Sequence, residues 1–308
     1  MIKVTVTGAC GFIGSHLTRK LIEQGFYVVG VDCLDDNLYS RSVKESRLKS
    51  LKQLNNFDYL NLNIAQDELD SSIKDSKFVF NLAAIPGQVL SWKLFDQYVE
   101  SNILGAKKVI DSCIRNNVSK IIHASTSSVY GKFAVGNELQ DTKPISPYGI
   151  TKLAAENLLF ALTNDNELDF TILRYFSVYG PGQRPDMAIQ RFLSAIKLGQ
   201  EISITGDGTQ KRDITYVEDV VEATISASSI TEKKQIFNIS GGKQFTLNQI
   251  IEECFKVSGL NSRINYVERP IGDQEETFGD ISKAQKILGF NPTFDITTGL
   301  SNQFANLD

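Results

Sequence analysis

Tyr148 and Lys152 stand four residues apart in a helical pattern that follows Pro147. That spacing puts both side chains on one helix face, a turn apart. A tyrosine with a pKa near ~10 is a weak base at neutral pH, and a nearby ammonium stabilises its phenolate. Lowering that pKa by about three units takes roughly 4 kcal/mol of differential interaction, which the ammonium and a second close cation such as an oxidised nicotinamide can supply when partly desolvated. Of the ten tyrosines, only Tyr148 has a lysine at this spacing. A second set of polar groups, Ser125-Thr126-Ser127-Ser128, follows the apolar run Lys120–Ala124. Hydroxyls beyond the carboxyl end of a strand are placed to meet a polyol or a nicotinamide, a serine-rich turn being the plainer alternative.

Other routes to acid–base chemistry are poorly provided for. The chain has two histidines. His123 lies in the apolar run Ile121-Ile122-His123-Ala124 and reads as a packed, satisfied strand residue; His16 lies in the first helix, and neither has a triad or metal partner nearby. Cys10, Cys33, Cys113 and Cys254 are far apart, with no CxxC pair, so no metal site or disulfide framework is expected. A net charge of −4 gives no bulk attraction to nucleic acid or membrane surfaces. No apolar run approaches a membrane span and no signal peptide is read, so a cytoplasmic location is expected.

The N-terminus carries a second constellation. Thr7-Gly8-Ala9-Cys10-Gly11-Phe12-Ile13-Gly14-Ser15 follows the β-branched run Lys3–Val6 and precedes a pattern with Phe12, Ile13, Leu17, Leu21 and Ile22 on one face. Strand, glycine turn, helix is the frame of a dinucleotide pyrophosphate site, although the spacing of Gly8, Gly11 and Gly14 is GxxGxxG. The next apolar run, Tyr27–Val31, ends in Asp32, 18 residues after Gly14. An acid there hydrogen-bonds the adenosine ribose and repels a 2′-phosphate, so NAD is expected over NADP. A turn or capping aspartate is the alternative.

Strand and helix patterns alternate through the first half. Further strands are read at Asp58–Asn63, Phe78–Ala83, Lys120–Ser125 and Phe170–Arg174, with amphipathic stretches near 42–54, 96–117 and 148–165. The alternation predicts an α/β fold, a doubly wound parallel sheet of Rossmann type. After about residue 180 the rhythm loosens. Helices are expected near 187–199, 219–229, 246–258, 282–288 and 297–306, strands near 202–205 and 236–239, and polar loops at Thr205–Asp213 and Arg269–Asp273. The expected division is residues 1–180 for NAD and the Tyr/Lys helix, and 181–308 mainly a smaller mixed lobe for substrate, with a cleft between.

Taken together, these residues spell a family. Thr7–Ser15, Asn81-Leu82-Ala83-Ala84, Tyr148-x-x-x-Lys152, Arg174-Tyr175-Phe176-Ser177-Val178-Tyr179-Gly180-Pro181 and Gly206-Asp207-Gly208-Thr209-Gln210-Lys211-Arg212-Asp213 occur in order. The chain resembles the extended short-chain dehydrogenase/reductase family over nearly its whole length, and within it the nucleotide-sugar epimerases, UDP-glucuronate 4-epimerases above all. The resemblance implies that Gly8, Gly11, Phe12, Ile13, Gly14 and Asp32 contact NAD, with Asn63 and Ile64 at the adenine. It places Leu82, Ala83, Ala84 and Asn102 on the nicotinamide side and adds Ser125, Tyr175 and Val178 to the cofactor contacts. Thr126 becomes the catalytic Ser/Thr, Tyr148 the acid/base and Lys152 the holder of the nicotinamide ribose. Pro86, Ser127, Ser128, Ser177 and Arg191 fall among the substrate contacts, Arg212 at the pyrophosphate, and Arg269 and Asp273 at the nucleoside end. A homodimer is implied, through the helices near 96–117 and 148–165. Asn63 stands where the family usually has Asp, and Ile271 is an extra residue between Arg269 and Asp273.

The branch follows from what each reaction needs. Eliminating water takes a carboxylic acid to protonate the leaving hydroxyl, and similar dehydratases carry Thr-Asp-Glu where this chain has Thr126-Ser127-Ser128. Without that carboxylate, C4 epimerisation of a UDP-sugar is favoured over dehydration or decarboxylation. Arg184, in Gly182-Gln183-Arg184-Pro185-Asp186, suits a C6 carboxylate by bidentate pairing, the alternative being a structural pair with Asp186. Relatives with Ala-Ala-Ile-Pro-Gly continue Val-Arg, whereas here Gln88-Val89 follow. UDP-glucuronate is therefore the expected substrate, with a neutral UDP-hexose as alternative. A net dehydrogenase and a nucleotide-sensing regulator are the readings from other classes.

Overall fold

The computed structural model describes residues 1–307. Seven strands form one parallel sheet, in the spatial order Gln235–Ile239, Asp169–Tyr175, Lys120–Thr126, Phe78–Asn81, Lys3–Thr7, Tyr27–Val31 and Phe57–Leu60. This is the expected doubly wound α/β sheet. Its inner strands are buried on both faces because helices cover both; all seven residues of Asp169–Tyr175 are buried. On one face the helices Phe12–Glu23, Val217–Ser226 and Ser282–Leu288 pack around Val6, Val28 and Phe237. On the other, Ala106–Arg115 and Pro147–Leu162 pack around Val79, Ile121 and Phe170. The strand order reverses at Lys3–Thr7, between Tyr27–Val31 and Phe78–Asn81, which opens the crevice where such sheets bind ligands.

The ends of several elements differ from expectation for local reasons. The strand expected to reach Asn63 stops at Leu60, because Asn63 closes a turn, its Oδ1 accepting from Ala65 N at 2.9 Å. The strand expected to reach Ala83 stops at Asn81, and Ala83 N turns to donate to Thr7 Oγ1 at 3.2 Å. The stretch 96–117 is divided into Phe95–Val99, a π-helical turn Glu100–Gly105, and Ala106–Arg115. Such turns arise where a side chain is drawn into a site. Here Asn102 is bonded to the Ile85 backbone, and Gly105 makes room for Ile64, 2.8 Å from where a Cβ would stand.

Beyond residue 180 the chain builds a second layer and also returns to the first. Lys211–Tyr216 pairs with Gln244–Thr246, Glu276–Gly279 and Ser177–Tyr179, and Glu276–Gly279 pairs with Phe133–Gly136. Lys211–Tyr216 starts inside the stretch expected to be a polar loop, anchored by buried Asp213, which accepts from Gly241 N at 2.8 Å and Gly279 N at 3.2 Å. The strand Gln235–Ile239 is the edge of the large sheet, and Val217–Ser226 packs on the first helix. No described helix is long and apolar enough to cross a membrane.

Candidate active site

The helix Pro147–Leu162 starts with proline at its first position and the Ser146 hydroxyl accepting from Gly149 N at 3.2 Å. A Cβ at Gly149 would stand 2.6 Å from the Ser128 carbonyl, so only glycine lets this helix meet the turn Ser127–Tyr130. The contact brings Tyr148 to Thr126, whose hydroxyl acts on the phenol. The Tyr98 ring lies edge-on to Tyr148, centroids 6.2 Å apart. Burial raises the Tyr148 pKa, while Thr126 and the positive charge of Arg184 pull it down. The cation acting on the phenol is thus Arg184, where the spacing suggests Lys152. Lys152 is buried, and among the described residues its ammonium has no hydrogen bond or ion pair. Burial pushes its pKa down to about 8, against the charge of Glu156.

Behind this pair runs a buried polar brace. Glu156 accepts from Ser125 Oγ at 2.5 Å and from Arg174 Nε and Nη2 at 3.1 and 2.7 Å. Arg174 Nη1 donates to Tyr130 Oη at 2.9 Å, which donates to Asn238 Oδ1 at 2.7 Å. One network therefore ties the Tyr/Lys helix to the ends of three strands. Asn102 adds a second tie, joining both backbone groups of Ile85 (2.7 and 3.0 Å) to Thr151 Oγ1 (3.1 Å).

The glycine loop lies at the head of the crevice. Gly8 has φ +72°, and a Cβ on Gly14 would fall 2.0 Å from the Gly8 carbonyl, so the turn excludes larger residues. The helix Phe12–Glu23 begins at Gly11 with no side-chain cap, leaving first-turn N–H groups for an anion. Asp32 closes the loop, its Oδ2 accepting from Cys10 N at 3.0 Å and its Oδ1 from Leu34 N at 2.9 Å.

On the substrate side, Thr126 Oγ1 accepts from Ser128 N at 3.1 Å, and Gln274 Nε2 donates to the carbonyls of Gly131 and Ser127 at 2.9 and 3.3 Å. Arg184 is buried and paired with Asp186 through Nε (3.0 Å) and Nη2 (2.6 Å). Arg212 Nη2 bonds Asp273 Oδ1 at 2.8 Å, and Arg269 Nε reaches Asp273 Oδ2 at 3.3 Å, so these three form one cluster.

A phenol–hydroxyl pair beside a buried lysine, below a glycine loop, invites comparison with known proteins. Residues 4–240 match the model of the NAD dependent epimerase/dehydratase family. The chain belongs to that family. A UDP-glucuronate 4-epimerase of Thermodesulfobacterium geofontis is 38% identical over 301 residues, 96% of this chain and 93% of that one. The UDP-glucuronic acid 4-epimerase of Bacillus cereus, solved with UDP-glucuronic acid and NAD, superposes with a TM-score of 0.95 at 36% identity, covering 99% and 98% of the two chains. A UDP-glucose 4-epimerase of Thermotoga maritima, solved with UDP-glucose, gives 0.89 at 31% identity, covering 99% and 98%.

This epimerase/dehydratase-family chain fits a dinucleotide on its own evidence. Uncapped N–H groups suit the pyrophosphate, and an unpartnered buried ammonium suits ribose hydroxyls. Other expected contacts are placed less directly. Asn63 and Ile64 sit in the turn beyond the strand Phe57–Leu60, Ile64 buried against Gly105. Leu82 and Ala83 flank Gly8, whose Cβ would lie 2.9 Å from Ala83 N, and Ala84 follows them. The Ser125 hydroxyl is turned to Glu156. Tyr175 is bonded to Thr224 Oγ1 at 2.7 Å and packs with Val178 and Phe12 in the core. Ile13 packs against the same core, and Pro86 takes the Tyr98 hydroxyl on its carbonyl at 2.9 Å. Ser177 pairs in register with Ile214, and Arg191 is exposed on the helix Ala188–Lys197 without a side-chain partner among the described residues.

His123 is only half satisfied: Nδ1 faces Asn81 Nδ2 at 3.1 Å, and buried Nε2 has no partner among the described residues. His16 bonds the Pro181 carbonyl at 2.9 Å. Sequence reasoning missed Tyr98, Glu156, Gln274 and Arg47, whose guanidinium joins the carbonyls of Cys10 and Gly182. Of these, Glu156 carried a signal, four residues after Lys152 on the same helix face.

Proposed function

We propose that this protein epimerises UDP-glucuronate at C4 to UDP-galacturonate, with NAD retained through the cycle. The observation that carries this is the Thr126–Tyr148 hydroxyl pair with no carboxylate in Thr126-Ser127-Ser128. Such a site can remove and return one proton and has no acid to expel a hydroxyl. Bound NAD supplies the hydride acceptor and donor for C4, and its oxidised ring supplies a further positive charge beside Tyr148. Tyr148 takes the C4 hydroxyl proton and later returns it. Thr126 holds the same oxygen, and Lys152 holds the ribose. Arg212, Arg269 and Asp273 keep the nucleotide in place while the 4-keto sugar turns its other face. Arg184 pairs with the C6 carboxylate.

The division into residues 1–180 for NAD and 181–308 mainly for the nucleotide sugar belongs to this reading, since Arg184, Arg212 and Arg269 all lie beyond 180. So does a homodimer, for which exposed Leu104, Ile150 and Phe160 supply apolar surface on the helices expected at its interface. Four free cysteines suit a reducing, cytoplasmic setting. The test is Tyr148→Phe: epimerisation of UDP-glucuronate falls by about 10²–10⁴-fold, the usual reach of general acid–base catalysis. Unchanged turnover removes Tyr148 from its role.

A further inference from the structure

The hydroxyl pair at Tyr148 continues beyond Thr126. Thr126 Oγ1 donates to Ser128 Oγ at 3.3 Å, and Ser128 Oγ also accepts from Gln88 Nε2 at 2.9 Å. The orientation of the Gln88 amide is assigned from its neighbours. Gln274 gives its Nε2 to two carbonyls, which leaves its Oε1 facing Gln88 at 3.4 Å, and an oxygen there calls for the nitrogen of Gln88. Gln88 Oε1 is then left buried without a partner among the described residues. A buried acceptor in a polar site wants a donor.

Gln88 also borders the carboxylate end of the site. A Cβ on the preceding Gly87 would lie 3.7 Å from Arg184 Nη2. Two groups with opposite needs therefore share this corner. Arg184 already holds Asp186 by two bonds, and Gln88 Oε1 holds nothing. A sugar carboxylate brings only acceptors, so it competes with Asp186 for the Arg184 donors or takes those that Asp186 leaves free, and it leaves Gln88 Oε1 unmet. A sugar hydroxyl brings a donor, meets Gln88 Oε1 and leaves the Arg184–Asp186 pair standing.

We propose that Gln88 is a specificity-determining residue whose free amide oxygen accepts a hydroxyl of the sugar, so that the site takes a neutral UDP-hexose alongside the uronate. This rests on the epimerase reading and extends it to a second substrate class. Similar chains carry Val-Arg where this chain has Gln88-Val89, so the cation that would favour a carboxylate is missing at Val89 and an acceptor that favours a hydroxyl stands beside it at Gln88.

The experiment measures kcat/KM for C4 epimerisation of UDP-glucose and of UDP-glucuronate by product NMR, in the wild type, Gln88→Leu and Gln88→Glu. The wild type is expected to turn over both sugars. The neutral-to-uronate ratio is expected to fall about 10-fold or more in Gln88→Leu, which loses the acceptor. It should rise by about the same factor in Gln88→Glu, which keeps the acceptor and repels the uronate. A ratio unchanged in both variants, or moved the same way in both, overturns the proposal. A wild type active on the uronate and inert on UDP-glucose also overturns it and leaves the proposed function standing. A wild type inert on both sugars brings down both. Should Gln88→Leu fail to fold, the direction of the ratio in Gln88→Glu decides.

Discussion

Lys152 and Glu156 occupy successive turns on the buried face of one helix, 3% and 2% exposed, yet do not pair with each other. The Glu156 carboxylate is held by Arg174 and Ser125, so its charge reaches Lys152 only through space. The lysine is thereby kept free for a ligand while its charge is still supported from behind.

Glu156→Gln tests that relationship. The Glu156 charge raises the Lys152 pKa, so its loss takes that pKa below about 8. Since the ammonium is the form lost as pH rises, the alkaline limb of kcat should move to lower pH. Arg174 is also left with an uncompensated buried charge, at a cost of about 3–5 kcal/mol of stability. A stability loss with an unmoved pH limb would assign Glu156 a structural role alone.

Lys152→Met should make the NAD-free protein more stable while abolishing turnover. The folded-state pKa of Lys152 is about 8 against 10.5 when exposed, so the folded form binds this proton more weakly than the unfolded form. The resulting penalty is full below pH 8, fades between about 8 and 10.5 and vanishes above. Two and a half pKa units correspond to about 3 kcal/mol. Urea unfolding at pH 7 should show a gain approaching that size, shrinking as pH approaches 10. Equal stability at all pH values would contradict the buried, unpaired ammonium.

Asp186→Asn should release Arg184 for the substrate. The Asp186 carboxylate occupies the Nε–Nη2 edge of the guanidinium and offsets the charge that would attract a uronate carboxylate. Its removal is expected to lower KM for UDP-glucuronate by about 10-fold, with a smaller effect on UDP-glucose. An unchanged KM for the uronate would mean that Arg184 does not exchange partners.

The parts of this site that were legible in the sequence are those whose chemistry follows from local spacing. Gly8, Gly11 and Gly14 lie within one turn, and Tyr148 and Lys152 within one helical turn, so neither needs the fold to bring it together. The parallel sheet was legible because strand and helix patterns alternate at regular spacing through the first half of the chain. What escaped was carried by contacts across long separations. Glu156, on a helix, meets Arg174 on the strand that follows it, and Arg47 reaches Gly182 from 135 residues away. The π-helical turn at Glu100–Gly105 departs from the helical period because Asn102 is tied to Ile85 and Thr151, which no repeat of apolar residues announces. The strand Gln235–Ile239 was found at its place in the chain, but its return to the large sheet depends on a partner 64 residues earlier. The Arg184–Asp186 pair was foreseen as an alternative, two residues apart, and is the geometry observed.

A redox-neutral inversion with retained NAD needs no coenzyme added and leaves no net NADH. Purified protein should be incubated with UDP-glucuronate and no added coenzyme, and products followed by NMR alongside absorbance at the NADH band. Interconversion with UDP-galacturonate, approaching the same mixture from either sugar without net NADH, is the predicted result. NADH released in proportion to sugar consumed, or no change at C4 while UDP-glucuronate binds, would contradict it.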